Sequence, residues 1–311
     1  MKILFMGTPD FAVLCLEQMI ADGHEIVGVV SQPDKPKGRG HKLLPPPVKT
    51  CAAEHGIAVY QPLSLKDQAL LPLLKEKNPD LIVVVAYGKL LPGYILDFPR
   101  HGCVNVHASL LPKYRGAAPI QWSVICGEAE TGVTTMYMER GLDTGDMILK
   151  ASTRILPTET YGELHDRLAE MGAKLLHQTV AQIEDGTAPR EKQDDAASNY
   201  APMITKETGH IDWRAKAQTI LNLIRGTNPW PMSYTRYGDE IIKVIRAKDG
   251  GAASGKPGEV LSADKRGIRV ACGDGESIFI LELQKKGGKR MDAASFLNGH
   301  QIATGTILDK E

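Results

Sequence analysis

The sequence predicts an α/β fold in two parts, a doubly wound and mostly parallel sheet followed by a small antiparallel β-barrel. Apolar strands at 2–6 and 25–30 flank a helical pattern, and a β-α-β opening implies a right-handed parallel crossover. Apolar runs at 81–86 and 103–107 have the near-continuous hydrophobicity of strands buried on both faces. Beyond residue 240, short strands alternate with glycine-rich turns, which is typical of a small barrel.

The elements follow in order along the chain. Pro9 suits the first turn of a helix whose apolar residues lie at Ala12, Leu16, Met19 and Ile20. Apolar residues at helical spacing predict a long helix over 161–184 that closes the first part, and a second helix over 215–224. Later strands are expected at 241–246, 258–261, 268–271 and 277–284. We therefore expect a catalytic domain at 1–189, a polar linker at 190–207 and a second domain at 208–311.

Composition bounds the class of protein. The 311 residues, 42% of them apolar, suffice for about two domains. The five cysteines are scattered without a C-x-x-C pair, which argues against a disulfide framework or a structural zinc. The chain opens directly on a strand, and no apolar run approaches the ~18 residues of a membrane span. We expect a soluble protein of the reducing cytoplasm, without a metal and without a membrane partner.

Basic residues concentrate between residues 32 and 48, in Q-P-D-K-P-K-G-R-G-H-K-L-L-P-P-P-V. Proline and glycine disfavour regular structure there, so the segment is predicted to be a mobile, exposed loop. It is either a solvated linker or an arm that contacts phosphates when RNA binds. Residues 206–311 carry 17 basic and 13 acidic side chains, a balance that also suits an anionic partner.

Candidate site residues follow the strand at 103–107. In N-V-H-A-S-L-L-P-K-Y-R-G-A-A-P-I-Q-W, Asn105 and His107 alternate with valines and leave the same face of the strand. Asp143 follows in a turn, G-L-D-T-G. Each residue alone is a common structural residue, since a strand-end His or a turn Asp has ordinary roles. Because a parallel sheet gathers its turns outside the carboxyl ends of its strands, we expect the three to converge.

With M-G-T-P-D-F-A at 6–12, these motifs resemble the methionyl-tRNA formyltransferase family along the whole chain. The resemblance implies a formyltransferase-type domain that binds 10-formyltetrahydrofolate, an OB-like barrel that binds tRNA, and formylation of charged initiator tRNA. It implies no metal and no obligate protein partner. It also implies three sets of site residues. They are Asn105, His107 and Asp143 for catalysis, Ser109, Leu110, Leu111 and Pro112 for folate binding, and Lys35, Lys37, Arg39 and Lys42 for tRNA binding.

The residue types fit this chemistry. Moving a formyl group between nitrogens requires an uncharged amine, a stabilised tetrahedral oxyanion and protonation of the departing nitrogen. An Asn amide and a protonated His can donate to the oxyanion, while Asp143 can hold His107 charged or relay a proton. Ser109 lacks a G-x-S-x-G elbow, so a covalent intermediate is not expected. Two alternatives remain open, a formyl-folate transferase acting on a small amine such as a ribonucleotide or amino sugar, and a non-catalytic RNA-binding protein.

Overall fold

The computed structural model describes residues 1–37 and 42–309. Its contacts divide the chain into two compact units. The first comprises Met1–Pro119, Glu130–Arg154 and His165–Pro202, and the second comprises Ile120–Ala129, Ile155–Leu164 and Met203–Glu311. Every helix within the described ranges is too short or too polar to cross a membrane.

Strands and helices alternate through the first two-thirds of the chain. The strands are β1 (Lys2–Gly7), β2 (Glu25–Val30), β3 (Lys35–Lys37), β4 (Lys42–Leu44), β5 (Val59–Tyr60), β6 (Leu81–Val85), β7 (Cys103–His107), β8 (Arg115–Gly116), β9 (Glu130–Tyr137), β10 (Met147–Arg154) and β11 (Tyr200–Ala201). The helices are α1 (Val13–Ala21), α2 (Pro47–Glu54), α3 (Leu71–Lys77), α4 (Gly93–Leu96), α5 (Pro119–Ile125) and α6 (Tyr161–Glu184).

The main sheet of the first unit has seven strands in the order β10-β9-β7-β6-β1-β2-β5. The strands from β7 to β5 are parallel, whereas β9 and β10 are antiparallel. The chain runs outward from β1 to β2 and β5, then returns to β6 on the other side of β1. The resulting switch point, between the carboxyl ends of β1 and β6, is where open α/β sheets bind ligands. The predicted doubly wound, mostly parallel sheet is confirmed.

Burial explains why these strands read as apolar runs. All five residues of β6 and of β7 are buried, so both faces of each strand need side chains that tolerate the core. Helix α6 covers one face of β7. A Cβ on Gly172 would lie 3.1 Å from Cγ1 of Val106, so glycine lets the helix approach this strand closely. The Val106 face of β7 is therefore core, and Asn105 and His107 leave the opposite face.

The basic segment is more regular at its ends than the sequence predicts. Strands β3 and β4 pair antiparallel, with Lys35 opposite Leu44 and Lys37 opposite Lys42. The predicted irregular loop is wrong for these ends, because Pro36 is tolerated in a short hairpin where it removes only one donor. Arg39 lies outside the described residues.

Beyond residue 203 the chain forms α7 (Ala217–Gly226), β12 (Ser233–Tyr237), β13 (Glu240–Ala252), β14 (Val260–Asp264), β15 (Gly267–Ala271), β16 (Glu276–Lys285), β17 (Met291–Asp292) and α8 (Ala293–Leu297). The second unit is built on an antiparallel sheet in the order β12-β13-β16-β15-β14, with β17 beside β16. Its apolar core includes Trp213, Ile220 and Phe296, and α7 packs on β13 and β16. The predicted antiparallel β domain is confirmed.

Candidate active site

The imidazole of His107 is buried at the carboxyl end of β7, and both of its nitrogens have a neighbour. Nε2 lies 2.9 Å from the backbone carbonyl oxygen of Tyr114. Because a carbonyl oxygen only accepts, this contact requires a proton on Nε2. Nδ1 lies 3.7 Å from Oδ2 of Asp143, which is too long for a hydrogen bond but close enough for charge attraction. Nδ1 is therefore the ring nitrogen that can serve a substrate atom.

Asp143 lies in the turn between β9 and β10 with a φ of 53°, a left-handed conformation that Asp adopts more readily than most residues. Its Oδ2 accepts a hydrogen bond of 2.8 Å from the backbone amide of Gly116. Gly145 lies in the same turn, and glycine is required there because a Cβ would overlap the carbonyl oxygen of Tyr137. The turn thereby points the carboxylate towards His107.

Asp143 reaches His107 by a route that differs from the predicted one. We expected parallel strands to gather their turns at one edge, but β9 runs antiparallel to β7. β9 ends beside the amino end of β7, where the Met138 amide donates a hydrogen bond to the Cys103 carbonyl oxygen. The turn that follows brings Asp143 back to the imidazole of His107, at the carboxyl end of β7. The carboxylate and the imidazole do meet, while their catalytic roles stay a prediction.

Asn105 is 9% exposed, on the same strand face as His107. Within the described part of the chain, no group forms a hydrogen bond with its carboxamide. Its two N–H donors and its carbonyl oxygen are therefore left to a ligand or to water. The amide offers N–H donors, and Nδ1 of the imidazole offers another when the ring is protonated. Donors that leave one strand face in this way form an arrangement suited to a developing oxyanion.

The four predicted folate-binding residues divide into two pairs. Ser109 is fully buried, and its hydroxyl donates a 2.6 Å hydrogen bond to the Lys113 carbonyl oxygen. Leu111 is 2% exposed and packs with Met136 and Met147. Leu110 and Pro112 are half-buried, so theirs are the side chains within this segment that a ligand can reach. The folate-binding role of all four residues stays a prediction.

Potential nucleophiles near the strand are not activated. The Ser109 hydroxyl donates to a backbone carbonyl oxygen, which is too weak a base to activate it. Burial raises the pKa of the Cys103 thiol to about 12, so the thiolate needed for attack is scarce near neutral pH. Over residues 1–37 and 42–309, no cluster of three His, Cys, Asp or Glu side chains could hold a metal ion.

Residues of the predicted linker lie beside this site, and the sequence carried no signal for them. Gln193 bonds to the turn of Asp143 and to the Arg115 guanidinium. Asn199 Oδ1 accepts a hydrogen bond from the Tyr114 amide. Arg115 also forms a 2.7 Å ion pair with Asp195, so its guanidinium structures this loop.

Three of the predicted tRNA-binding residues, Lys35, Lys37 and Lys42, lie in the basic hairpin formed by β3 and β4, and the fourth, Arg39, lies outside the described residues. Lys35 is exposed, and the backbones of Lys37 and Lys42 are paired in the strand register. Asp34, at the base of the hairpin, accepts hydrogen bonds of 2.8 and 2.9 Å from Lys49 Nζ. The RNA-binding role of these residues stays a prediction.

Comparison with known proteins places this geometry in a family. A family model described as formyl transferase matches residues 1–180, and one described as formyl transferase, C-terminal domain, matches residues 203–301. The N-formyltransferase from Helicobacter canadensis, solved with folinic acid and dTDP-3-aminofucose, aligns with a TM-score of 0.68 at 20% identity, over 92% of this chain and 99% of its own. HypX from Aquifex aeolicus, solved with tetrahydrofolic acid, aligns with a TM-score of 0.63 at 17% identity, over 96% of this chain and 47% of its own. Both parts of the chain thus have the fold of formyl transferases.

Proteins similar in sequence define the family within the formyl transferases. The methionyl-tRNA formyltransferase of Citrifermentans bemidjiense is 51% identical over 311 residues, which cover 100% of this chain and 97% of that protein. The methionyl-tRNA formyltransferase of Clostridioides difficile is 51% identical over 309 residues, which cover 99% of this chain and 100% of that protein. The chain belongs to the methionyl-tRNA formyltransferase family.

Proposed function

We propose that this protein transfers the formyl group of 10-formyltetrahydrofolate to the free amino group of methionyl initiator tRNA by direct amine attack. The observation that carries the proposal is 51% identity to methionyl-tRNA formyltransferases over the whole chain. The meeting of His107 and Asp143 beside Asn105 supplies groups suited to that chemistry. The N-formyltransferase from Helicobacter canadensis, solved with dTDP-3-aminofucose, resembles this chain in fold at 20% identity, which gives a small-amine acceptor much weaker support. We place the reaction in the cytoplasm.

Asn105 and His107 are proposed to stabilise the negative charge that develops on the formyl oxygen. The amine nitrogen adds to the formyl carbon of 10-formyltetrahydrofolate and forms a tetrahedral oxyanion. The bond from that carbon to N10 then breaks, and one proton passes from the amine to N10. The Asn105 carboxamide offers N–H donors without a protein partner in the described structure. When protonated, His107 offers Nδ1–H as a second donor, because Nε2 is held by Tyr114. Preorganised donors of this kind need no rearrangement during the reaction.

Asp143 is proposed to balance the positive charge that the His107 ring carries during the transfer. Its Oδ2 lies 3.7 Å from Nδ1, and both side chains are largely buried, so water screens their attraction only weakly. The Gly116 amide holds the carboxylate in place. Because Asp143 and Nδ1 are not directly hydrogen-bonded, the Nδ1 proton can point to a substrate oxygen while the carboxylate balances its charge.

Leu110 and Pro112 are the side chains proposed to contact the folate ring. A flat aromatic ring requires an apolar wall that is not already covered by protein, and these two half-buried residues meet that requirement. Leu111 and Ser109 support the wall from inside, through the Leu111 contacts with two methionines and through the Ser109 hydrogen bond.

The tRNA is proposed to bind through the basic hairpin and the C-terminal domain. Lys35, Lys37, Arg39 and Lys42 lie within eight consecutive positions, and residues 206–311 carry an excess of basic over acidic side chains. Phosphate contacts release counterions, so each contact adds to the salt dependence of binding. We therefore propose residues 1–189 as the catalytic domain and residues 208–311 as a tRNA-binding domain.

The test is a formyl-transfer assay with charged initiator tRNA, alongside uncharged initiator tRNA and a charged elongator tRNA. We expect formylated methionyl-tRNA from the initiator substrate, with kcat/KM falling steeply as salt is added. Asn105→Ala and His107→Ala should each reduce kcat by about 10²–10³-fold. His55→Ala, at an exposed position, is the matched control and should retain wild-type activity. Absence of formyl transfer by the folded wild-type protein would overturn the proposal.

A further inference from the structure

The segment between the two family-model matches is bonded to both loops of the proposed site. Glu191 pairs with Met147, at the end of the Asp143 turn, through hydrogen bonds of 2.8 and 2.9 Å. Strand β11 pairs in parallel with β8, immediately after Tyr114. Residues 191–201 therefore act as part of the first unit rather than as a free connection.

The side chain of Gln193 makes three hydrogen bonds between these loops. Nε2 donates to the carbonyl oxygens of Asp143, at 2.7 Å, and Gly145, at 2.8 Å. Oε1 accepts a 2.9 Å hydrogen bond from Nε of Arg115. The amide thus joins the turn that carries Asp143 to the loop that follows His107.

We propose that Gln193 is a positioning residue for the formyl transfer, an inference that rests on the function proposed above. Two carbonyl oxygens on one side require two N–H donors, and a guanidinium on the other side requires an acceptor. Only a side-chain amide supplies both at this length. A glutamate of the same size would keep the Arg115 contact but would set a negative charge against two carbonyl oxygens.

The loop that Gln193 holds touches both proposed catalytic groups. Tyr114 accepts the His107 Nε2 proton through its carbonyl oxygen, and Gly116 donates its amide to Asp143. Arg115, between them, has a side chain that is only 12% exposed, so its guanidinium depends on protein partners for its hydrogen bonds. Release of Gln193 should let the Asp143 turn shift relative to His107, and a displacement of about 1 Å can cost roughly 10²-fold in rate.

The test compares Gln193→Glu and Gln193→Ala with wild type and with Lys192→Ala, an exposed neighbour in the same segment. We expect both Gln193 variants to lose about 10- to 100-fold in kcat, with the KM for formyl-folate changed less than about twofold. Lys192→Ala should keep kcat within about twofold of wild type. Equal melting temperatures for wild type and Gln193→Glu would establish that the loss does not come from unfolding.

A double-mutant cycle with Asp143→Ala distinguishes a positioning role of Gln193 from a general disturbance of the site. If Gln193 acts through Asp143, adding Gln193→Ala to Asp143→Ala should cost less than about twofold further. An undiminished loss in that background, a near-normal kcat for Gln193→Glu, or a loss confined to KM would each overturn the role of Gln193 and leave the proposed function intact. A folded wild-type protein without formyl-transfer activity would instead overturn the proposed function and this inference with it.

Discussion

We expect Asp143→Asn to lower kcat by about 10²–10³-fold while the chain stays folded. The carboxylate lies 3.7 Å from Nδ1 of His107, and the two side chains are 12% and 7% exposed. At that distance and an effective dielectric constant of about 20, two unit charges attract by about 4.5 kcal/mol, which corresponds to roughly 2,000-fold in rate. Asparagine keeps an oxygen for the Gly116 amide, so geometry is largely preserved and the loss should fall below this ceiling.

The measurement is the rate of a single turnover at saturating concentrations of both substrates, so that product release does not hide the chemical step. Asp185→Asn, at an exposed position, is the matched control and should react at the wild-type rate. A rate for Asp143→Asn within about threefold of wild type would refute the reasoning, because three-fold corresponds to less than 1 kcal/mol. The charge of Asp143 would then have no part in the chemical step.

Further predictions concern stability and exposure. The Thr160 amide and hydroxyl both lie 2.8 Å from Glu163 Oε2, so Thr160→Ala should cost about 1 kcal/mol of unfolding free energy in a urea titration. Both hydrogen bonds, and most of all the one from the backbone amide, lower the pKa of Glu163 below its ordinary 4.5. The stability that Glu163 adds to the folded chain is therefore fully present above pH 4.5 and is lost as the pH falls through the lowered pKa. The melting-temperature gap between wild type and Glu163→Ala should narrow accordingly, and a constant gap would contradict this. Lys49→Met should speed native-state trypsin cleavage of the basic hairpin, because Lys49 Nζ binds Asp34 at its base; unchanged cleavage would show that the ion pair does not hold the hairpin. Alkylation of the native protein should modify Cys126 alone, since it is the exposed cysteine, and peptide mass spectrometry that finds label on another cysteine would contradict this. Burial raises the pKa of three of the others to about 12, namely Cys15, Cys103 and Cys272.

Strands β2, β6 and β7 were predictable from the sequence because apolar residues dominate each of them. The predicted bounds of β2 and of the 24-residue α6 match the structure, and so do those of β7. Strands β9 and β10 were missed. β9 is buried at every residue after its first, yet it carries threonines whose hydroxyls find partners only in the folded chain. The Thr134 hydroxyl donates to the Ser109 carbonyl oxygen, and that of Thr135 pairs with Thr179 at 2.7 Å.

The site was predictable where its residues share one strand. Asn105 and His107 are two apart on a strand, so the pleat alone places them on one face. Asp143 could be named as a turn residue, but its approach depends on the antiparallel β9, which the sequence did not reveal. The role of Gln193 could not be predicted from the sequence for a further reason. Its partners on the Asp143 turn are two backbone carbonyl oxygens, and the positions of backbone atoms leave no pattern of residue types.

The relative position of His107 and Asp143 is set by a third piece of backbone rather than by a direct bond. At 3.7 Å the two side chains are not hydrogen-bonded to each other, but each is bonded to the stretch from Tyr114 to Gly116. That stretch pairs with β11. Gly116 has a φ of 117°, and a Cβ at that position would lie 2.6 Å from Cε2 of Tyr200, so glycine is required there. A displacement of the backbone from Tyr114 to Gly116 therefore changes the distance between the imidazole and the carboxylate. The attraction between two charges depends on their distance, and a reactive geometry tolerates little displacement. Substitutions that shift this stretch of backbone should therefore lower the rate of the reaction more than they lower the stability of the fold.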